Sequence, residues 1–331
     1  MRRREFITVL GGAATMPALW PFTARAQQSA MPVVGYLGPG DPESAASRLA
    51  AFRKGLGEQG FVGDRNVKIE FRWAHGDYTR VPDFAADVVR RQVSAIVAPG
   101  SATMALAAKA ATATIPIVFS TSADPVEVGL VASLNRPGGN VTGVASMGTA
   151  IEGKQLGLLH ELLPNARDVA VLVNPTGRNI AESTLKQAES FAASLGQHIE
   201  VFNASNNREI DQALTGMVQK RAEALLVTPS ILFTSRRVQI ATLAARHALP
   251  ALYWEREYVE VGGLMSYGTS ATEVYRQVGS YTGRILKGEK PADLPVIQPT
   301  TFEFIINLQT ARTLGLEVPA TLLARADEVI E

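Results

Sequence analysis

The four histidines, at 75, 160, 198 and 247, are the residues best suited to proton transfer or metal binding, and they stand far apart. None lies at a metal-ligand spacing from another, and no H-E-x-x-H, G-x-S-x-G or paired-cysteine pattern occurs. His160, in LGLLHELLP, reads as a structural histidine on a helix. The chain contains no cysteine, which removes a thiolate nucleophile, a disulfide framework and a lipid attachment point. One stretch comes close to a phosphate-binding loop: GTAIEGKQ (148–155) follows a strand and fits G-x-x-x-x-G-K. Gln155 stands where a magnesium-holding Ser or Thr is needed, and Glu152 would repel a phosphate. The stretch reads as a linker opening the next helix. No catalytic residue, metal site or cofactor is expected.

What the chain offers instead is a set of junctions rich in small polar residues. GDPES (40–44), PGSAT (99–103), STSADP (120–125), NPTGRN (174–179) and TPSILFTS (228–235) each follow an apolar run. If those runs are strands, the junctions sit at their C-terminal ends, where open α/β sheets bind ligands. A helix start presents unpaired N–H groups and a partial positive charge. Ser101, Ala102 and Thr103 could therefore cradle a carboxylate; alternatively, Ser101 only caps its own helix.

The elements that must position these junctions follow a regular rhythm. PVVGYLG (32–38), NVKIEFRWA (66–74), VSAIVAPG (93–100), IPIVFS (115–120) and NVTGVAS (140–146) read as strands. Helical segments at 43–60, 80–92 and 101–112 separate the first four. This βαβ pattern predicts a parallel sheet with helices on both faces. The pattern begins again with strands at 168–174, 198–204, 224–230, 250–255 and 262–268. The expected fold is α/β, with two similar lobes and a cleft between them. The tail differs: a helix at 272–288, a Pro-rich connector PADLPVIQP, then a strand and helix over 302–315. Such a tail suits hinge crossovers. The predicted organisation is a first lobe over 32–147 with 269–298 returning to it, and a second over 148–268 completed by 299–331.

The start, MRRREFITVLGGAATMPALWPFTARAQQ, has basic residues before an uncharged run. A bilayer span needs about 20 strongly apolar residues. This run is diluted by Gly11, Gly12, Pro17, Pro21 and threonines. Arg3-Arg4-Glu5-Phe6-Ile7 resembles a twin-arginine export signal, and Ala24-Arg25-Ala26 an A-x-A cleavage site. Residues 1–26 are expected to be removed, with maturation near Gln27, a periplasmic location and no insertion in the membrane. Removal takes away four arginines and one glutamate, so 32 basic and 31 acidic residues become 28 and 30, a net charge of −2. That balance offers no basic stripe for nucleic acid or anionic lipid.

STSADPVEVGLV, NRPGGNVTGV (135–144), EREYVEVGGLMSYG (255–268) and PADLPVIQPTTFEFIINLQTARTLGLEVP (291–319) together resemble one family of ABC transporter substrate-binding proteins. That family includes binding proteins assigned to tryptophan and tyrosine uptake. The likeness runs from about Pro32 to the C-terminus. It implies a type I periplasmic-binding fold, with a ligand closed between two lobes joined by three crossovers. Many members carry a lipidated cysteine; this chain has none, which implies a free periplasmic protein.

The resemblance also implies ligand contacts. Ser101 and Thr103 are expected to hold an anionic group, with Ser122, Ala123 and Asp124 on the neighbouring loop. Asn174, Pro229 and Ser230 would contribute from the second lobe, and Tyr267 from a hinge. Tyr36, Tyr253 and Trp254 either stack on an aromatic ligand or pack in the core. Asp124 either binds a ligand ammonium or caps a helix before Pro125. The function implied is capture of a small carboxylated ligand, with aromatic and amino-acid ligands included, for the permease subunits of an ABC importer. The alternatives are a ligand sensor for a membrane receptor or an exported α/β hydrolase.

Overall fold

The computed structural model describes residues 31–146, 151–177, 185 and 188–331, so the expected export signal lies outside the described residues. VVGYLG, AIVA and IVFST are apolar at nearly every position and almost wholly buried. A parallel sheet covered on both faces requires such strands. β1 (Val33–Gly38), β2 (Lys68–Trp73), β3 (Ala95–Ala98), β4 (Ile117–Thr121) and β5 (Val141–Ala145) form it, in the order β2-β1-β3-β4-β5. Every pairing within it is parallel. Helices α1 (Ala46–Glu58), α2 (Val81–Arg90) and α3 (Ala102–Ala111) fill the crossovers.

A second lobe repeats the scheme. It contains α4 (Ile151–Leu162), β6 (Asp168–Val173), α5 (188–194), β7 (His198–Asn203), α6 (Asn207–Gln219) and β8 (Ala224–Val227). Next come α7 (Ile231–Ser235), α8 (Arg237–Arg246), β9 (Ala251–Tyr253), α9 (Arg256–Glu260) and β10 (Met265–Thr269). The tail adds α10 (Ala271–Leu286), β11 (Phe302–Asn307), α11 (Leu308–Thr313), α12 (Ala320–Leu323) and β12 (Glu328–Ile330). The second sheet has seven strands in the order β12-β11-β10-β9-β8-β6-β7. All its pairings are parallel except β10 with β11. Strand β12 carries no clear periodic signal and forms because β11 leaves an edge for it.

Each sheet has one apolar cluster on each face. In the first lobe, α2 and α3 cover one face through Val88, Met104 and Ala108. Helices α1 and α10 cover the other through Phe52, Leu56 and Val278. Burying a side chain such as Phe52 fully contributes about 1.5–3 kcal/mol. Two glycines let these helices meet: a Cβ on Gly55 would collide with the Arg276 carbonyl, and one on Gly279 with the Phe52 carbonyl.

The tail thus serves both lobes. Leu294 accepts from Thr142 Oγ1 at 2.6 Å and Ile297 pairs with Val144, both against the first sheet. The chain then leaves for β11 in the second sheet. With the passages from β10 to α10 and from β5 to α4, the lobes are joined three times; residues 147–150 of the last lie outside the described residues.

Candidate functional site

The parallel strands of both sheets end at a common cleft of 1090 Å³. The first lobe supplies the loops after β1, β2, β3 and β4, represented by Ser44, Tyr78, Ser101 and Ser122. The second supplies Asn174 after β6, Ser205 after β7, Thr228–Leu232 after β8 and Trp254 after β9. Strand ends from two lobes that face each other make a wall on both sides of one space. Serine, threonine and tyrosine hydroxyls are the most frequent polar groups in its described lining.

Ser101 caps α3: its Oγ accepts from the Thr103 amide at 3.2 Å. A hydroxyl that accepts in this way keeps its own proton to donate. Gly100 precedes it at φ +78, a left-handed conformation that suits glycine. Its amide donates to Ser120 Oγ at 2.9 Å, which fixes the turn. A Cβ at Gly100 would lie 3.0 Å from the Tyr275 hydroxyl and 3.5 Å from Ile231 Cδ1, so the lobes approach closely here. Across the cleft, Asn174 ties two junctions together. Its Oδ1 accepts from the Thr176 amide at 3.0 Å, while its Nδ2 donates to Ser230 Oγ at 3.0 Å. Ser230 makes no side-chain bond to its own helix.

Of the residues expected at the site, Ser101, Thr103, Ser122, Asn174, Pro229, Ser230 and Trp254 line the cleft. Tyr36 does not. It is 1% exposed and packs against Phe52, Phe71 and Trp73 at 5.3–5.7 Å between ring centres. Burial pushes its phenol well above the ordinary value. Tyr253 is buried in a stack with Tyr258 at 4.5 Å, and core packing decides the alternative for both tyrosines. Ala123 turns into the protein behind the loop, its amide donating to Thr121 Oγ1 at 3.0 Å. Asp124 accepts from the Val126 and Glu127 amides at 2.8 and 3.2 Å, so it fastens the turn over 125–129, where no helix forms, and is not part of the cleft wall. Tyr267 stacks on Phe302 at 5.7 Å, away from the lining, because β10 turns it toward the outer packing of the second lobe.

The structure adds residues that the reading of the sequence missed. His75, Asp77 and Tyr78 belong to the loop after β2, a strand end of the same kind as the chosen junctions. Burial pushes the Tyr78 phenol up, with Ser101 beside it pulling the other way. Arg236 and Arg237 enter because α7 is a five-residue helix that stops and lets the chain turn back. Among the described residues, no group of three or more His, Cys, Asp or Glu side chains is placed to hold a metal ion. No described helix is long and apolar enough to cross a membrane.

The profile of a family described as ABC transporter substrate binding protein matches residues 42–330. A protein of Clostridioides difficile named tyrosine-binding protein is 29% identical over 266 residues, 80% of this chain and 76% of that one. A crystal structure of an ABC domain from Streptococcus pneumonia in complex with L-Trp superposes with a TM-score of 0.82 at 27% identity, covering 90% of this chain and 99% of that one. A ligand-free, open structure of a substrate binding protein with adhesive properties from Clostridium difficile gives 0.66 at 26% identity, with the same coverage of 90% and 99%. The two-lobed architecture is the type I periplasmic-binding fold that these similarities imply.

Proposed function

Since the chain belongs to the family of ABC transporter substrate binding proteins, we propose that it captures a small carboxylated, aromatic or amino-acid ligand in the cleft and delivers it to the permease subunits of an ABC importer. The single observation that carries this reading is the cleft itself, walled by strand ends of both lobes within 1090 Å³. Such a site rewards closure, because a ligand touching both walls stabilises the closed arrangement over the open one. The permease would read that arrangement. The relatives' names, a tyrosine-binding protein and a tryptophan complex, support an aromatic amino acid as the first class to test.

In this reading the ligand carboxylate lies at the PGSAT junction. The α3 amides and the Ser101 and Thr103 hydroxyls donate to it, and the dipole of a ten-residue helix adds a favourable field. Ser122, Asn174, Pro229 and Ser230 complete the walls, and the indole of Trp254 offers an apolar face to an aromatic ring. The precursor is exported through Arg3-Arg4 and works in the periplasm after maturing near Gln27.

The experiment is a thermal-shift screen of amino acids, aromatic acids and other small carboxylates, followed by titration calorimetry of each hit. A ligand at about 100 times its dissociation constant adds roughly 2.7 kcal/mol of stability. A shift with L-tryptophan or L-tyrosine supports the proposed class; no shift with any carboxylate refutes it. A compound consumed on incubation would point to catalysis instead.

A further inference from the structure

Behind the cleft, a buried polar contact joins the two lobes. Arg48, on α1 of the first lobe, donates from Nη2 to Glu255 Oε2 at 2.7 Å. Glu255 follows β9 in the second lobe, and the two side chains are 10% and 2% exposed. Thr234 Oγ1 donates to the same carboxylate oxygen at 3.1 Å. Glu257 Oε1 stands 3.7 Å from the Arg48 guanidinium, and its other oxygen is buried without a partner. The Tyr275 ring of α10 lies 6.0 Å from the guanidinium carbon. Tyr36 of β1 also faces Arg48, while Arg237 and Tyr258 face the Glu255 carboxyl.

We infer that Arg48 and Glu255 form a latch between the lobes, assembled when they close and setting how tightly the cleft holds a ligand without touching it. The argument rests on who partners whom. Among the described residues, both carboxylates within 4 Å of Arg48 belong to the second lobe. Parting the lobes removes both at once and hands each charge to water, a cheap arrangement for either. Closing them strips that water away and is tolerable only because the pair forms. Without the arginine, closure would bury Glu255 and Glu257 side by side with too few donors, which opposes it strongly. Neither Arg48 nor Glu255 is among the cleft-lining residues, although Trp254, the neighbour of Glu255, is. The approach of Gly100 to Ile231 is a second sign that the lobes are drawn together here.

This inference rests on the cleft being a ligand site, but its test does not need the ligand class to be right. The chain has no cysteine, so spin labels can be attached uniquely through Leu106→Cys on α3 and Val218→Cys on α6, which are 38% and 43% exposed. Distances between the labels are measured in the full mature chain, free and with L-tryptophan. Arg48→Met should lengthen the distances relative to the parent, in the free protein, with tryptophan, or in both. Glu255→Gln, which keeps an oxygen to accept from Arg48, should stay close to the parent. Affinity for L-tryptophan should fall by about 30-fold in Arg48→Met, the scale for truncating one partner of a buried charged pair.

If tryptophan fails to bind the parent, tryptophan is not the ligand, and the distances of the free protein still decide the latch. Distributions that Arg48→Met leaves unchanged in both conditions overturn it, even when the melting temperature drops, because that pattern marks a merely structural arginine. Should Arg48→Met not fold, Glu255→Leu removes the same contact from the other lobe and is read in the same way.

Discussion

Ser101→Ala separates two roles that one hydroxyl plays. The structure gives the first directly: Ser101 Oγ accepts from the Thr103 amide at 3.2 Å and caps α3. Replacing an N-cap serine by alanine costs about 1 kcal/mol, within a range of roughly 0.5–2. At about 2–4 °C per kcal/mol for a large domain, the melting temperature should fall by a few degrees. The second role is the proposed donation to the ligand carboxylate, where a hydrogen bond to a charged group is worth about 1.5–3 kcal/mol. That is roughly a 10- to 150-fold loss in affinity. Thr103→Val is the complement, since Thr103 caps through its backbone amide and its hydroxyl is free of that bond. It should lose affinity with little change in melting. Calorimetry with L-tryptophan and with L-tryptophanamide, alongside melting curves, reads all of this. If Ser101→Ala melts lower yet binds tryptophan as tightly as the parent, the hydroxyl only caps its helix. If affinity for the acid and the amide falls equally, the group held there is not the carboxylate. Either result removes the carboxylate from the PGSAT junction.

Other outcomes follow from the packing and the charges. Gly279→Val drives a side chain into the Phe52 carbonyl across the α1–α10 contact; overpacking of this kind costs about 1–3 kcal/mol, so melting should fall, and an unchanged melting curve would contradict the close approach. Tyr267→Leu breaks the stack on Phe302 but lies outside the cleft lining, so calorimetry should show parental affinity in a less stable protein. Replacing Arg3 and Arg4 by lysine should leave unprocessed precursor in the cytoplasm, which fractionation and immunoblotting would detect; normal periplasmic accumulation would show another export route.

How much of this was legible in the sequence depends on distance along the chain. Strands such as VVGYLG and IVFST announce themselves because a parallel strand is apolar on both faces, a local property. The junctions follow from the strands by one rule, which is why six residues chosen from them do line the cleft. The same rule, applied to the end of β2, finds His75 and Tyr78, which lie in the gap 75–79 between the expected strand and the expected helix at 80–92. Trp254 lines the cleft, whereas Tyr36 and Tyr253 lie outside it for a different reason. Tyr36 lies within β1 and not at the end that opens on the cleft, and the packing of Phe52, Phe71 and Trp73 around it encloses it. Alternation along a strand cannot distinguish two buried faces.

The latch shows where sequence reading stops. Arg48 and Glu255 are 207 residues apart, on elements whose local patterns call for nothing unusual at either position. Arg48 belongs to a helix with a weak apolar face, where an arginine is expected to point at water. It is buried because Gly55 and Gly279 bring α10 down onto α1, which turns that part of the helix inward beside Tyr275. The second lobe then supplies the carboxylates. A two-lobed binding protein needs a closed state stable enough to form and weak enough to release, and a contact made from one residue of each lobe meets both needs. Its strength can be tuned without altering any group that touches the ligand. Selection for ligand and selection for closure would then act on different residues, and only the three-dimensional arrangement reveals the second set.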